Sequence, residues 1–221
     1  DLNTLQETYS MNFLDRTVRD FVTEEILSIK SEKEKAKALY YKVRDEIRYD
    51  PYHILLKPEF LRASEIVKRR YGFCVEKALL LAAVSRLAGI PSKIGFANVR
   101  NHISSPRLSS LMKTDIFVYH GYTEMFIEGK WVKCTPAFNK SLCDRAGIFT
   151  LEFDGENNSL FHPLDLQGKK HMEYLQDFGT RDDLPYQEMM DKYAEAYPHL
   201  DVKETGTFGP VKITAKFEDE V

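Results

Sequence analysis

Neither sign of charge is in excess. The chain carries 31 lysines and arginines against 34 aspartates and glutamates, a net charge of −3 with histidine neutral. A nucleic-acid surface needs many phosphate-neutralising cations, so no nucleic-acid partner is expected, and the short cluster Lys68-Arg69-Arg70 reads as the solvated end of a helix. No apolar run reaches membrane-spanning length. The most apolar stretch, 75–88, contains Lys77 and Arg86 and reads as a core helix, so no membrane partner is expected either. No charged-then-apolar leader is recognisable. Cysteine is scarce and odd in number: Cys74, Cys134 and Cys143. That fits free thiols in a reducing, cytoplasmic setting better than a disulfide framework. Cys134, Cys143 and the histidines have no standard metal-ligand spacing, so neither a metal nor another cofactor is expected. Internal repeats and low-complexity segments are absent.

The residues present suit one sizeable core, with or without an extension. There are 221 of them, 43% hydrophobic and 29% charged. Val18, Phe21, Val22, Ile26 and Ile29 predict a helix over 15–29. Ser31 and Glu34 make a capping box. Ala36, Leu39, Tyr40, Val43 and Ile47 continue an amphipathic helix that Asp50-Pro51 ends, because the residue before proline avoids the helical region. A short helix over 64–71 runs into a turn at Gly72, and a buried central helix over 75–88 stops at Gly89. Pro91 opens a strand through Ile94, Phe96 and Val99, and 101–113 read as a polar loop. A long strand over 115–127 turns at Glu128-Gly129 into 131–134, a hairpin. Past Pro136 the pattern weakens to a turn at 154–158, a helix over 185–197 and an alternating strand over 211–217. Helices followed by a mainly antiparallel sheet give an α+β class.

Among the chemically capable residues Cys74 stands out, in Tyr71-Gly72-Phe73-Cys74-Val75-Glu76. A glycine turn running into an apolar helix puts its thiol at a helix N-terminus, where free N–H groups and the positive dipole end favour the thiolate. His120, on the expected strand, supplies the imidazole of a candidate Cys–His pair. A packing role for Cys74 stands beside this, since free cysteines are among the most buried residues.

Four pieces occur in a telling order. Val43-Arg44-Asp45-Glu46-Ile47-Arg48-Tyr49-Asp50 ends a helix, and Gly72-Phe73-Cys74 opens the core helix. Arg86-Leu87-Ala88-Gly89-Ile90-Pro91 turns it into a strand, and His120-Gly121-Tyr122-Thr123-Glu124 precedes Gly129-Lys130-Trp131-Val132. This set resembles the transglutaminase-like superfamily, a branch of the papain-like cysteine enzymes, over 38–134. The resemblance implies a papain-like fold with the cysteine helix packed on an antiparallel sheet. It implies a catalytic core with N-terminal helices over 1–140 and an extension over 141–221 packed on it in one compact domain. The implied activity is that of a cysteine hydrolase or acyltransferase. It acts through a thioester on an amide or related acyl bond of a peptide, protein or small substrate, without a cofactor. Cys74 attacks the carbonyl, and His120 holds the thiolate as an ion pair and protonates the leaving amine; water or an amine then takes the acyl group. The Cys74 N–H is one oxyanion donor, and Tyr49 and Tyr52 are candidates for a second as well as for plain packing.

The family's usual pattern has an aspartate four residues after the tryptophan. Trp131-Val132-Lys133-Cys134-Thr135-Pro136 places Thr135 there. A hydroxyl can hold one imidazole tautomer but cannot offset an imidazolium charge, so the thiolate is less favoured than in a Cys–His–Asp site. Asn139 is a second candidate orienter, out of register with the motif. The alternative function is a catalytically weak transglutaminase-like domain used for binding or assembly. His162 and His171 either line a substrate site supplied by the extension or are ordinary surface and core histidines. Cys134 and Cys143 read as structural, Glu124 as sharing a strand face with His120 and Tyr122, and Trp131 as packing over the sheet.

Overall fold

The computed structural model describes residues 2–102, 104–209 and 214–221. The expected single helix over 15–29 is two short ones, α1 (Arg16–Phe21) and α2 (Glu24–Ser28). The β-branched pair Val22-Thr23 separates them in an extended conformation, which suits side chains that lose rotamer freedom in a helix. α3 (Glu32–Glu46) is capped by Ser31, whose hydroxyl accepts the Glu34 N–H at 3.2 Å. It ends short of Asp50-Pro51 because Arg48–Tyr49 (β1) is drawn into a parallel pair further along the chain. That partner follows α4 (Ala63–Arg69) and a left-handed turn at Arg70, and is Tyr71–Gly72 (β2). Backbone bonds of 3.0 Å from Arg48 to Arg70 and from Asp50 to Gly72 clamp the pair. The clamp delivers Phe73 as the N-cap of α5 (Cys74–Leu87), so α5 begins at the cysteine.

α5 is buried almost all round. Its two cations are tied to backbone oxygens, as buried charge requires. Lys77 Nζ donates to the Arg44 carbonyl at 2.8 Å, and Arg86 donates to the carbonyls of Gln6, Ser92 and Asp182. The chain then forms β3 (Ser92–Asn101), α6 (Pro106–Met112), β4 (Ile116–Ile127), β5 (Lys130–Cys134), α7 (Lys140–Ala146) and β6 (Met172–Arg181). α8 (Tyr186–Ala196) and α9 (Val202–Thr205) follow. Apart from the parallel β1–β2 pair, the strands make one sheet in the order β5-β4-β3-β6, antiparallel throughout. The architecture is α+β, with the cysteine helix packed on an antiparallel sheet.

The hairpin, α5 and α8 lie where expected, and Glu128 and Gly129 both take positive φ, as the favoured two-residue hairpin turn requires. The segment 101–113 is not simply a loop. Ser105 accepts the Leu108 N–H at 3.1 Å and Pro106 opens α6, so a serine–proline pair that reads as a turn is here a helix start. β6 has no counterpart among the expected strands, because most of it is half-buried or exposed and carries no clean alternation. Of the expected strand over 211–217, Val211, Lys212 and Ile213 lie outside the described residues, and Phe217 opens a 3-10 turn, Phe217–Asp219.

One glycine lets α5 reach the sheet. A Cβ on Gly121 would come within 2.7 Å of the Val75 Cα. Next to it, Thr123 Oγ1 donates to the Ala78 carbonyl at 2.8 Å and Ser85 Oγ to the Met125 sulfur at 3.1 Å. α5 therefore covers the Gly121–Thr123–Met125 face of β4. The other face holds a smaller cluster of Ala97, Val99, Tyr122 and Met172.

Candidate active site

Strand alternation puts His120 with Tyr122, on the face of β4 away from α5. It nevertheless lines the same cavity as Cys74. A bulge sits where the strand has to be re-aimed. Ala97 pairs with His120 but Val99 with Phe117, so β4 carries an extra residue. Tyr119 takes up the distortion at φ 59, a conformation costly for a bulky side chain, about 1–3 kcal/mol. Its surroundings hold it there. The Tyr119 N–H donates to Asn98 Oδ1 at 3.0 Å, the Val118 N–H donates to the Tyr197 hydroxyl at 2.7 Å, and the Tyr119 ring stacks on Phe96 at 4.1 Å. Nothing in the local sequence signals this bulge, because its acceptors come from β3 and from the end of α8.

The cavity is walled by Tyr49, Phe73, Phe117, Phe138, Tyr193 and Phe208, among others. No carboxylate, lysine or arginine is among the described residues that line it, and its free interior is about 50 Å3. Cys74 is 9% exposed, at one side of this narrow apolar slot.

Electrostatics depart from the ion pair that the resemblance implies. Burial pushes the Cys74 thiol up to about 12, although the backbone N–H groups of Gly121 and Val75 pull it down. The Glu76 carboxylate, two residues further along α5, adds to the rise. Glu76 is itself buried; it accepts the Phe73 N–H at 3.0 Å and pairs with Arg69, and burial raises it to about 7. Burial also pulls His120 down to about 4. Desolvation and Glu76 thus outweigh the helix terminus, and near neutral pH the resting pair is thiol and neutral imidazole.

Thr135 directly follows β5 and borders a second, smaller cavity together with His120, His162 and His171. Among the described residues no hydrogen bond links Thr135 to His120, and the His120 Nε2 is buried without a partner. Asn139 is committed elsewhere: its Oδ1 accepts the Tyr49 N–H at 3.0 Å and its Nδ2 donates to Ser141 at 2.7 Å. The Tyr52 hydroxyl is taken by Ser105 and Glu220, whereas Tyr49 lines the slot with Cys74. His171 is buried, burial pulls it down to about 4, and its Nδ1 lacks a partner. His162 Nε2 lies 3.4 Å from the Thr150 carbonyl oxygen. Cys134 is sealed in the core, and Cys143 is buried at the edge of the second cavity. Trp131 packs beside Phe126 with Lys93 over its ring. Among the described residues no group of three or more His, Cys, Asp or Glu is placed to hold a metal ion, and no helix is long and apolar enough to cross a membrane.

A cysteine-bearing core helix on an antiparallel sheet, with a histidine brought to the cysteine's cavity, defines the papain-like class. The profile of the transglutaminase-like superfamily matches residues 20–136, just over half of the chain, and the chain belongs to that superfamily. No curated protein matches the sequence. A solved structure of a candidate cysteine protease from Cytophaga hutchinsonii is similar over 82% of this chain and 47% of its own, with 17% identity and a TM-score of 0.48. The present chain therefore spans about half the length of that protein.

Proposed function

We propose that the protein is a cysteine-dependent acyl-transfer enzyme in which Cys74 is the nucleophile and His120 the proton carrier. The observation that carries this reading is that both residues, from different elements, line one slot. His120 takes the Cys74 proton as the sulfur attacks the carbonyl carbon, and returns it to the leaving amine or alcohol. Water or an amine then releases the acyl group from the thioester. The Cys74 N–H, with Tyr49 as second donor, faces the developing oxyanion. Since no charged side chain lines the slot among the described residues and its free interior is about 50 Å3, its acyl occupant is small, uncharged and apolar. A neutral resting pair suits an activated ester or thioester better than a peptide bond. The three free cysteines fit a reducing compartment.

The test is to trap the acyl-enzyme. Brief exposure to a p-nitrophenyl ester of a short aliphatic acid should add one acyl mass to Cys74, and Cys74→Ala should take none. The second reading, a domain retained for binding or assembly, draws on Thr135 and on the raised thiol. It is favoured if the apolar acid binds the protein while no acyl-enzyme forms at any pH.

A further inference from the structure

We propose that His171 is a positioning residue for His120, holding it through one shared water in the second cavity, where the superfamily's usual aspartate is replaced by Thr135. The inference rests on the Cys74–His120 reading above.

Three observations point to that cavity. First, two buried imidazole nitrogens, Nε2 of His120 and Nδ1 of His171, lack a hydrogen-bond partner among the described residues. The two side chains are only 7% and 4% exposed. Second, both residues line this one small cavity, together with Thr135, and no carboxylate is among the described residues that line it. Third, its free interior is about 10 Å3, close to what a single water needs, and a buried water needs two to four polar partners. His120 Nε2, His171 Nδ1 and the Thr135 hydroxyl are three.

His171 is well placed to be a fixed reference. Its N–H donates to the Pro163 carbonyl at 2.8 Å, and its carbonyl accepts the His102 N–H at 2.7 Å. Its ring lies 6.2 Å from that of Phe138, which lines both cavities. The titratable groups acting on it are Asp165, His162 and His102. The hydrogen-bond directions follow from the chemistry. With His171 neutral, its Nδ1 lone pair accepts one water O–H. The water oxygen accepts the His120 Nε2–H, and its second O–H goes to Thr135 Oγ1. The imidazole of His120 is thereby fixed as the Nε2–H tautomer, leaving the Nδ1 lone pair to receive the proton of Cys74. An aspartate would add a charge to this arrangement; the water adds orientation only.

The experiment pairs a tautomer measurement with a reactivity measurement. Nitrogen-15 spectra of the histidines at neutral pH should show His120 as the Nε2–H tautomer. His171→Phe, which removes the acceptor and crowds out the water, should mix the tautomers and slow native alkylation of Cys74 by about tenfold, with a displaced pH profile. His171→Gln, whose amide oxygen can accept from the same water, should keep both close to wild type. An Nδ1–H tautomer in the wild-type protein overturns the proposal, and that reading needs no variant to fold. So does a folded His171→Phe protein with unchanged tautomer and alkylation profile. Failure of the underlying reading shows itself separately, as a Cys74 indifferent to His120→Gln while the tautomer still answers to His171.

Discussion

Thr135 brings a hydroxyl, not a carboxylate, to the second cavity that His120 lines. A carboxylate introduced there would enter the surroundings of the imidazole. Thr135→Asp is expected to raise the His120 pKa and lower the apparent Cys74 pKa by about one unit or more, read from iodoacetamide rates against pH. The buried charge should cost stability, about 1–3 kcal/mol in a denaturant titration. An alkylation profile that does not move would show that position 135 has no electrostatic access to the pair. At this scale the sequence was partly readable. Gly72 and the apolar run behind it located Cys74 at a helix start, and the ordered motifs located His120 and Thr135. The charge state of the thiol was not readable, because it depends on how deeply Cys74 is buried and on Glu76 turning inward to the Phe73 N–H, both products of tertiary packing.

Among the elements, the junction of α5 and β4 does most to place the site. Gly121 sits directly under the first turn of α5, so Gly121→Ala forces helix and strand apart by the Cβ that would clash with Val75. Overpacking of this kind should cost about 1–3 kcal/mol of stability. Cys74 alkylation in the folded variant should slow, because the thiol moves relative to Gly121 and His120. A variant with wild-type stability and wild-type reactivity would mean that the close approach does not position the cysteine. Long periodic elements such as α3, α5 and the β4–β5 hairpin could be read from their own residues. The bulge at Tyr119 could not, since the N–H groups of Val118 and Tyr119 find acceptors on Tyr197 and Asn98, far away in sequence. β6 was hidden because a half-exposed edge strand leaves little period-two signal.

Across the whole molecule, residues past 140 complete the site. β6 pairs with β3, Tyr193 and Tyr197 wall the slot, and Phe153 packs on Tyr40 at 5.1 Å, while Phe149 and Tyr174 remain exposed. Two buried histidines couple this assembly to pH. His120 and His171 are held at about 4 in the folded protein, against an ordinary 6.5. Below 6.5 the unfolded chain binds protons that the folded one does not. Their stabilising contribution is therefore complete above 6.5 and is lost as pH falls towards 4. Glu76, raised to about 7, acts in the opposite sense, its contribution fading as pH rises from 4.5 through 7. Comparing wild type with His171→Gln cancels the Glu76 effect. The variant is expected to lose less stability between pH 7 and pH 4.5, measured by urea midpoints; equal losses would contradict the depressed His171 pKa.

The central claim is that Cys74 and His120 work as a pair, and native iodoacetamide labelling with mass mapping tests it most directly. Burial lifts Cys143 only to about 11, below Cys74, so acidity alone would favour Cys143. Access reverses that order, because Cys74 opens on the slot while Cys143 is 1% exposed and Cys134 is sealed. One label per folded molecule is expected, on Cys74, at a rate that falls about tenfold or more in His120→Gln. First labelling at Cys134 or Cys143, or a Cys74 rate that ignores the loss of His120, would contradict it.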